Sequence, residues 1–316
     1  MSGPAKTSPM TKHAGSVMKK NKPVNSLKPD SGKVLAAGAD SAYEIRPGQS
    51  IELLKELHIL TRDGKMNQDS RRKLKQVYHL YQFIEPLMQA AQHHTEQQQA
   101  DITLVDHGAG KSYLGFILYD LYFKSRTGNS HIYGIETRDE LVSRSQELAT
   151  RLGFSGMSFL NLSVAQSINT DALPEKINIV TALHACNTAT DDAIEFALKK
   201  KADYIVLVPC CQAEVAATLK KNKSAAIRSN PMSELWRHPL HTREFGSQLT
   251  NVLRCLQLEA HGYHVSVTEL VGWEHSMKNE LIIATNKNLP SQQARQRLTQ
   301  VLESTGLESL QGRFFC

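Results

Sequence analysis

The sequence has few cysteines and no long apolar run, and these absences exclude several protein classes. Five cysteines in 316 residues are too few for a disulfide scaffold, so we expect a reduced, cytoplasmic protein. No apolar run approaches the roughly 20 residues that a membrane-spanning helix needs, and the N-terminus lacks the apolar core of a secretion signal. The hydrophobic content of 41% nevertheless supports a packed core.

Residues 1–40 have few large apolar side chains and no arginine. They contain seven lysines and two aspartates, so most of the net charge of +6 lies in this segment. A segment rich in Ser, Pro, Gly and Lys cannot bury enough surface to fold alone, and we predict a disordered basic tail. Two roles stay open for it: a solubilising tail, or an electrostatic arm for RNA or another polyanion.

Residues 41–100 predict an N-terminal helical extension. A short helix is expected at 49–60, and a longer one over 67–92 follows from apolar residues at three- and four-residue spacing. Pro86 is expected to kink the longer helix. A run of basic residues at 71–75 opens that helix, and it is either a solvated face or a site for acidic ligands.

From residue 101 to 288, strands alternate with helices. The alternation predicts an α/β domain with a Rossmann-like, seven-stranded sheet, one reversed strand and helices on both faces. We place its strands at 102–106, 131–136, 157–161, 177–183, 204–208, 264–270 and 280–285. Thr188 is expected to cap a helix, with Asp191 favouring its N-terminus. Residues 289–316 predict a C-terminal helical segment.

The stretch "VDHGAGKS", residues 105–112, resembles two kinds of nucleotide-binding loop only in part. A phosphate-binding loop needs a glycine five residues before Gly110, where this chain has Val105. A nicotinamide dinucleotide loop needs a third glycine, where this chain has Tyr113. We therefore disfavour an ATPase, a GTPase and a dehydrogenase.

S-adenosylmethionine is the cofactor that this loop fits best, because its binding does not require phosphate recognition. Gly108 and Gly110 let the backbone pass close to a ligand, and Asp106 can hold a positively charged amino end. Glu136 ends the second strand, where one carboxylate can accept hydrogen bonds from both ribose hydroxyls. Ser163, just past the third strand, is either an adenine contact or an ordinary helix cap.

Four separated motifs, "VDHGAGKSYLGFIL", "ALHACNTATDDAI", "VLVPCCQ" and "EHSMKNELIIA", resemble a class I methyltransferase family over about 65–285. The family includes the methyltransferase domain of the glutathione S-transferase C-terminal domain-containing protein. The resemblance implies a Rossmann-like fold, S-adenosylmethionine, and cofactor contacts at the loop glycines, Asp106 and Glu136. It also places His184, Ala185 and Cys186 beside the transferred methyl group. The family has an aspartate where this chain has Asn187.

Four candidate catalytic residues follow the fourth and fifth strands: His184, Cys186, Cys210 and Cys211. Carboxyl ends of neighbouring parallel strands meet at one edge of a sheet, so these side chains are expected to converge. Three interpretations stay open. The side chains line a dry pocket in which His184 orients the acceptor, or a cysteine acts as a nucleophile that activates a pyrimidine. The third interpretation is a tetrahedral zinc site. We favour the first and expect no metal.

The segment 220–245 is basic, and we interpret it as a linker that shapes the acceptor site. Arg243 can bind phosphate and Trp236 can stack on a base, or the segment is an ordinary loop with one buried tryptophan. Asn187 and Asn279 are further candidate substrate contacts. The sequence thus predicts an S-adenosylmethionine-dependent methyltransferase with an RNA acceptor and no membrane partner. A protein or small-molecule acceptor, and a non-catalytic cofactor- or RNA-binding scaffold, are the alternatives.

Overall fold

The computed structural model describes residues 45–97, 101–126, 128–183, 185, 187–209, 212–270 and 280–314. The predicted basic tail lies outside the described residues. So do five of the predicted site residues: His184, Cys186, Cys210, Cys211 and Asn279.

A seven-stranded sheet with the order β3-β2-β1-β4-β5-β7-β6 forms the centre of the fold. Its strands are β1 (Thr103–His107), β2 (His131–Glu136), β3 (Met157–Asn161), β4 (Ile179–Leu183), β5 (Tyr204–Val208), β6 (Tyr263–Glu269) and β7 (Glu280–Asn286). The first five are mutually parallel, and β7 is antiparallel to both of its neighbours. The predicted fold class, with a single reversed strand, is confirmed.

Helices flank the sheet and were predicted less completely than the strands. They are α1 (Ile51–Glu56), α2 (Gln68–Gln97), α3 (Tyr113–Leu118), α4 (Asp139–Leu152), α5 (Val164–Asn169), α6 (Ala189–Lys199), α7 (Glu214–Ser229), α8 (Pro239–Ala260), α9 (Gln292–Thr305) and α10 (Gln311–Phe314). A π-helical turn, Tyr119–Phe123, continues α3, and 3₁₀ turns occupy Pro231–Trp236 and Glu308–Leu310. No helix in the described part of the chain combines the length and apolar character needed to span a bilayer.

The interpretation of residues 220–245 as a linker is wrong. Residues 220–229 complete α7, a 3₁₀ turn follows, and α8 begins at Pro239. In α7 the wholly buried Leu219 and the nearly buried Val215 pack against α8 and α9, so tertiary contact rather than a long apolar stripe stabilises this lysine-rich helix.

The N-terminal helices belong to the main core of the fold. Leu54 of α1 and Ile84 of α2 are wholly buried in one apolar cluster with Phe116 of α3. The backbone N–H of Ser50 also donates a 2.9 Å hydrogen bond to Oδ2 of the buried Asp120. The helical extension therefore covers one face of the sheet, while α5 and α6 pack against the other.

Replacing Ile84 with alanine should destabilise the whole domain, because it leaves a cavity in this shared core. We expect a loss of about 2–4 kcal/mol in the free energy of unfolding, measured by urea denaturation. Gln82→Ala, on the exposed side of the same helix, is the control and should change stability by less than about 0.5 kcal/mol. Equal effects of the two substitutions would contradict a shared core.

Candidate functional site

The glycine loop lies at the carboxyl end of β1. Gly108 and Gly110 have φ angles of +67° and +58°, a backbone conformation that favours glycine. The N–H of Ala109 donates a 2.9 Å hydrogen bond to the carbonyl of Ile135, which fixes the loop against β2. A Cβ atom built on Gly108 would meet only the methyl group of Ala185, at 3.6 Å. The loop thus presents backbone, with little side-chain cover, at the edge of the sheet.

Glu136 connects this loop to the end of β2. Its Oε2 accepts a 2.9 Å hydrogen bond from the N–H of Gly110, and its Oε1 accepts one from the N–H of Thr137. The guanidinium of Arg138 donates to both carboxylate oxygens, at 3.0 and 3.1 Å. Burial raises the pKa of Glu136, but these hydrogen bonds, with those from Arg138 foremost, outweigh it and hold the pKa at about 2. Glu136 is consequently a carboxylate at neutral pH.

Arg138 covers the carboxylate that a ribose would use. Its side chain is 62% exposed, whereas that of Glu136 is 8% exposed. Only the guanidinium of this pair is exposed, so Arg138 could move into water and leave its hydrogen bonds to two vicinal hydroxyls. The backbone bonds from Gly110 and Thr137 would meanwhile keep the carboxylate in place.

Asp106 lies beneath the loop and is 2% exposed. Burial raises its pKa to about 6, although hydrogen bonds from the Thr181 hydroxyl, at 2.8 Å, and the Gly115 N–H favour the ionised form. Asp106 is paired with Gly134 of β2 and Thr181 of β4, so it occupies the centre of the parallel sheet. At neutral pH its negative charge lies directly under the backbone of the glycine loop.

His107 is a candidate site residue that the sequence analysis did not identify. It is 5% exposed, its ring lies 5.4 Å from that of Phe196, and neither ring nitrogen has a hydrogen-bond partner among the described residues. Burial lowers its pKa to about 4, against the opposing effect of Glu136, so the imidazole is neutral. The sequence pointed to His107 only as a polar residue at the end of the apolar run that precedes the glycines. Two unpartnered buried nitrogens mark it as a candidate ligand contact.

Ser163 forms the N-cap of α5. Its hydroxyl donates to Oε1 of Gln166 at 2.9 Å, and its backbone N–H donates to the same oxygen at 2.8 Å, which completes a capping box. This arrangement accounts for the serine as a helix cap. An adenine contact at Ser163 stays a prediction.

Asn187 bridges the loops that follow β4 and β5. Its φ angle is +52°, and its Oδ1 accepts a 3.2 Å hydrogen bond from the N–H of Ala213. The side chain is thus engaged in joining two loops at the carboxyl edge of the sheet. Its predicted contact with substrate is not tested by this arrangement.

The prediction that Trp236 stacks on a nucleic-acid base is wrong. The indole is 1% exposed and stacks on Phe245, with ring centroids 5.2 Å apart and planes 10° from parallel. It packs with α7, α8 and α9, since its 3₁₀ turn folds back onto these helices. Arg243 remains exposed and pairs with Glu244 at 2.7 Å.

The candidate zinc ligands lie outside the described residues. Within the described part of the chain, no group of three or more His, Cys, Asp or Glu side chains could hold a metal ion. The described site therefore consists of the glycine loop, two buried carboxyl groups and a neutral imidazole.

Part of the chain is similar to a known protein family. Residues 72–218 match the family model of a methyltransferase domain. Among curated relatives, the bovine glutathione S-transferase C-terminal domain-containing protein is 26% identical over 247 residues, which are 70% of this chain and 34% of that protein. The chain thus spans about a third of the length of the curated relatives it matches.

Solved methyltransferases are also similar to the chain. SAH-bound PaMTH1 from Podospora anserina has a TM-score of 0.40 and 11% identity, over 84% of this chain and all of its own. SAM-bound magnesium protoporphyrin IX methyltransferase from Synechocystis has a TM-score of 0.38 and 13% identity, over 75% of this chain and 90% of its own.

The described residues at the carboxyl edge of the sheet fit S-adenosylmethionine. The carboxylate of Glu136, which is ionised at neutral pH, suits a ribose diol, and the negative charge of Asp106 suits an ammonium group. The glycine backbone leaves room for close approach, and the unpartnered nitrogens of His107 offer one donor and one acceptor.

Asp106→Asn should stabilise the ligand-free protein at neutral pH. The folded-state pKa of about 6 exceeds the ordinary value of 3.8, so stability is lost as pH rises through this window. The difference corresponds to about 3 kcal/mol at pH 7.5. Urea denaturation at pH 4 and 7.5 should show the variant gaining on wild type as pH rises. The exposed Asp63, changed to Asn, is the control; a matching gain there would contradict the assignment.

Proposed function

We propose that this protein is an S-adenosylmethionine-dependent methyltransferase that acts on RNA in the cytoplasm. The 2.9 Å hydrogen bond between the Gly110 N–H and Glu136 carries the proposal, because it unites the glycine loop and the ribose-binding carboxylate in one preformed site. The family match over residues 72–218 supports the same activity. The bound cofactor supplies an activated methyl group on its sulfonium.

The residues of the site have separate roles in this proposal. Glu136 accepts hydrogen bonds from the ribose hydroxyls after Arg138 withdraws, and Gly108 and Gly110 allow the ligand to lie against the backbone. Asp106 provides negative charge under the loop, which favours the cofactor's ammonium group. Catalysis then rests mainly on holding the acceptor in line with the methyl group, since displacement at carbon depends on alignment.

Exposed cations support an RNA acceptor. The lysines of residues 1–40 can bind phosphates without base specificity. In the described part of the chain, exposed cations lie at the start of α2 and along α7: Arg71, Arg72, Lys75, Lys220 and Lys221. Arg243 forms an exposed ion pair, which a phosphate can replace at little cost in free energy. With Trp236 buried, recognition is proposed to rest on these charges.

Isothermal titration with S-adenosylmethionine tests the cofactor site. We expect wild-type protein to bind and Glu136→Ala to bind at least about 30-fold more weakly, because two charge-assisted hydrogen bonds are lost. Glu147→Ala removes an exposed carboxylate on α4 and should leave affinity unchanged. Failure of the wild-type protein to bind would contradict the methyltransferase, and binding of a nicotinamide cofactor instead would favour a dehydrogenase.

Transfer of a tritium-labelled methyl group tests the acceptor. Incubation with fractionated cell RNA, protein and metabolites should label the RNA fraction, with a rate that falls steeply as salt increases. Removing residues 1–40 should weaken RNA binding and leave cofactor affinity unchanged. Label found only in protein or metabolites would contradict the RNA acceptor, and cofactor binding without any transfer would favour a scaffold.

A further inference from the structure

Arg254 of α8 is wholly buried and hydrogen-bonded through all three guanidinium nitrogens. Nε and Nη2 donate to the two carboxylate oxygens of Asp191, at 2.6 and 2.9 Å. Nη2 also donates to the backbone carbonyl of Asn187 at 2.9 Å, and Nη1 donates to Oδ1 of Asn251 at 3.2 Å. One buried cation therefore fixes the start of α6 and the loop after β4 to α8.

The same cluster reaches the loop after β5 and the start of β7. Oδ1 of Asn251 accepts a 2.7 Å hydrogen bond from Nε2 of Gln212, whose Oε1 accepts one from Ser247 at 2.6 Å. Nδ2 of Asn251 donates to Glu280, the first residue of β7, at 2.7 Å. Together with the bond from the Ala213 N–H to Asn187, these contacts tie three chain segments to α8.

Each tethered residue comes directly after a candidate acceptor-side residue in the sequence. Asn187 comes directly after Cys186, and Gln212 comes directly after Cys211. Glu280 comes directly after Asn279. Asn187 is itself a candidate substrate contact, and these hydrogen bonds fix it relative to the loop after β5.

A buried ion pair is a weak source of stability, since the desolvation of both charges offsets their attraction. Well-packed apolar side chains would stabilise α6 against α8 equally well. They would not, however, donate a hydrogen bond to the carbonyl of Asn187, whose backbone has a φ angle of +52°. The distinct effect of Arg254 is therefore geometric: it fixes the loop after β4 relative to the loop after β5.

We propose that Arg254 is a positioning residue for the acceptor side of the methyl-transfer site. It acts through Asn187 and Asn251, and it sets the spacing between the loops after β4 and β5. The proposal rests on the proposed function for its consequence in catalysis. The tether itself is a property of the folded chain that can be measured without any substrate.

The test replaces the ion pair with apolar side chains of similar size, Asp191→Leu with Arg254→Met, so that no unpaired charge stays buried. Hydrogen–deuterium exchange should become at least about tenfold faster in peptides covering 185–190 and 209–214, and unchanged in the peptide covering 106–112. Cofactor affinity should stay within about twofold of wild type, because the Glu136 site is untouched. The rate of transfer of the labelled methyl group to RNA should fall at least about tenfold, while the KM for the cofactor stays unchanged.

Leu298→Ala is the control for general destabilisation, since this wholly buried residue of α9 packs in the apolar cluster of α7, α8 and α9 and forms no part of the Arg254 hydrogen-bond network given above. It should lower the melting temperature without accelerating exchange in the two loop peptides. Arg254→Lys, which keeps the charge but loses the planar fork, should give an intermediate increase in exchange. A folded double variant with wild-type exchange in both loops would overturn the proposal. Wild-type protein that fails to bind the cofactor would instead contradict the proposed function, while the exchange result would still decide the tether.

Discussion

The five mutually parallel strands impose the main constraint on this structure, because such strands must be covered on both faces. β1 and β5 are buried at every position. The N-terminal helices and α3 cover one face, and α5 and α6 cover the other. Because both faces are covered, a ligand can reach the sheet at its carboxyl edge, between the loops that follow the strands. The glycine loop, Glu136 and Asn187 all lie at this edge.

Asp106 and His107 are consecutive residues on opposite faces of β1, and burial acts on them in opposite directions. It raises the pKa of the carboxyl group to about 6 and lowers that of the imidazole to about 4. Between those values both groups are uncharged in the ligand-free protein. At neutral pH the one charge of the pair is the carboxylate, whose negative charge a cationic ligand can balance.

Local patterns in the sequence predicted the strands and the two carboxylates well. The bounds of β2 and β5 follow from compact runs rich in β-branched and aromatic residues, and those of β3 from a short run that contains Met, Phe and Leu. A carboxylate near a strand end can be recognised from the sequence without knowledge of its partners. Contacts between distant residues were not predictable. Asp191 was expected to favour a helix N-terminus, yet it is buried against Arg254, which lies 63 residues along the chain. The burial of Trp236 and of His107 likewise depends on helices brought together by the fold.

The shared core of the N-terminal helices and the sheet determines which segment of the chain could be moved into another protein as one folded unit. A segment cut at residue 101 would contain every strand and every carboxylate of the site. It would also expose the apolar surface that Leu54 and Ile84 now cover, and it would leave Asp120 without its bond from Ser50. A gene fusion that transfers the unit intact therefore has to include Ser50 and α1, well before the first strand.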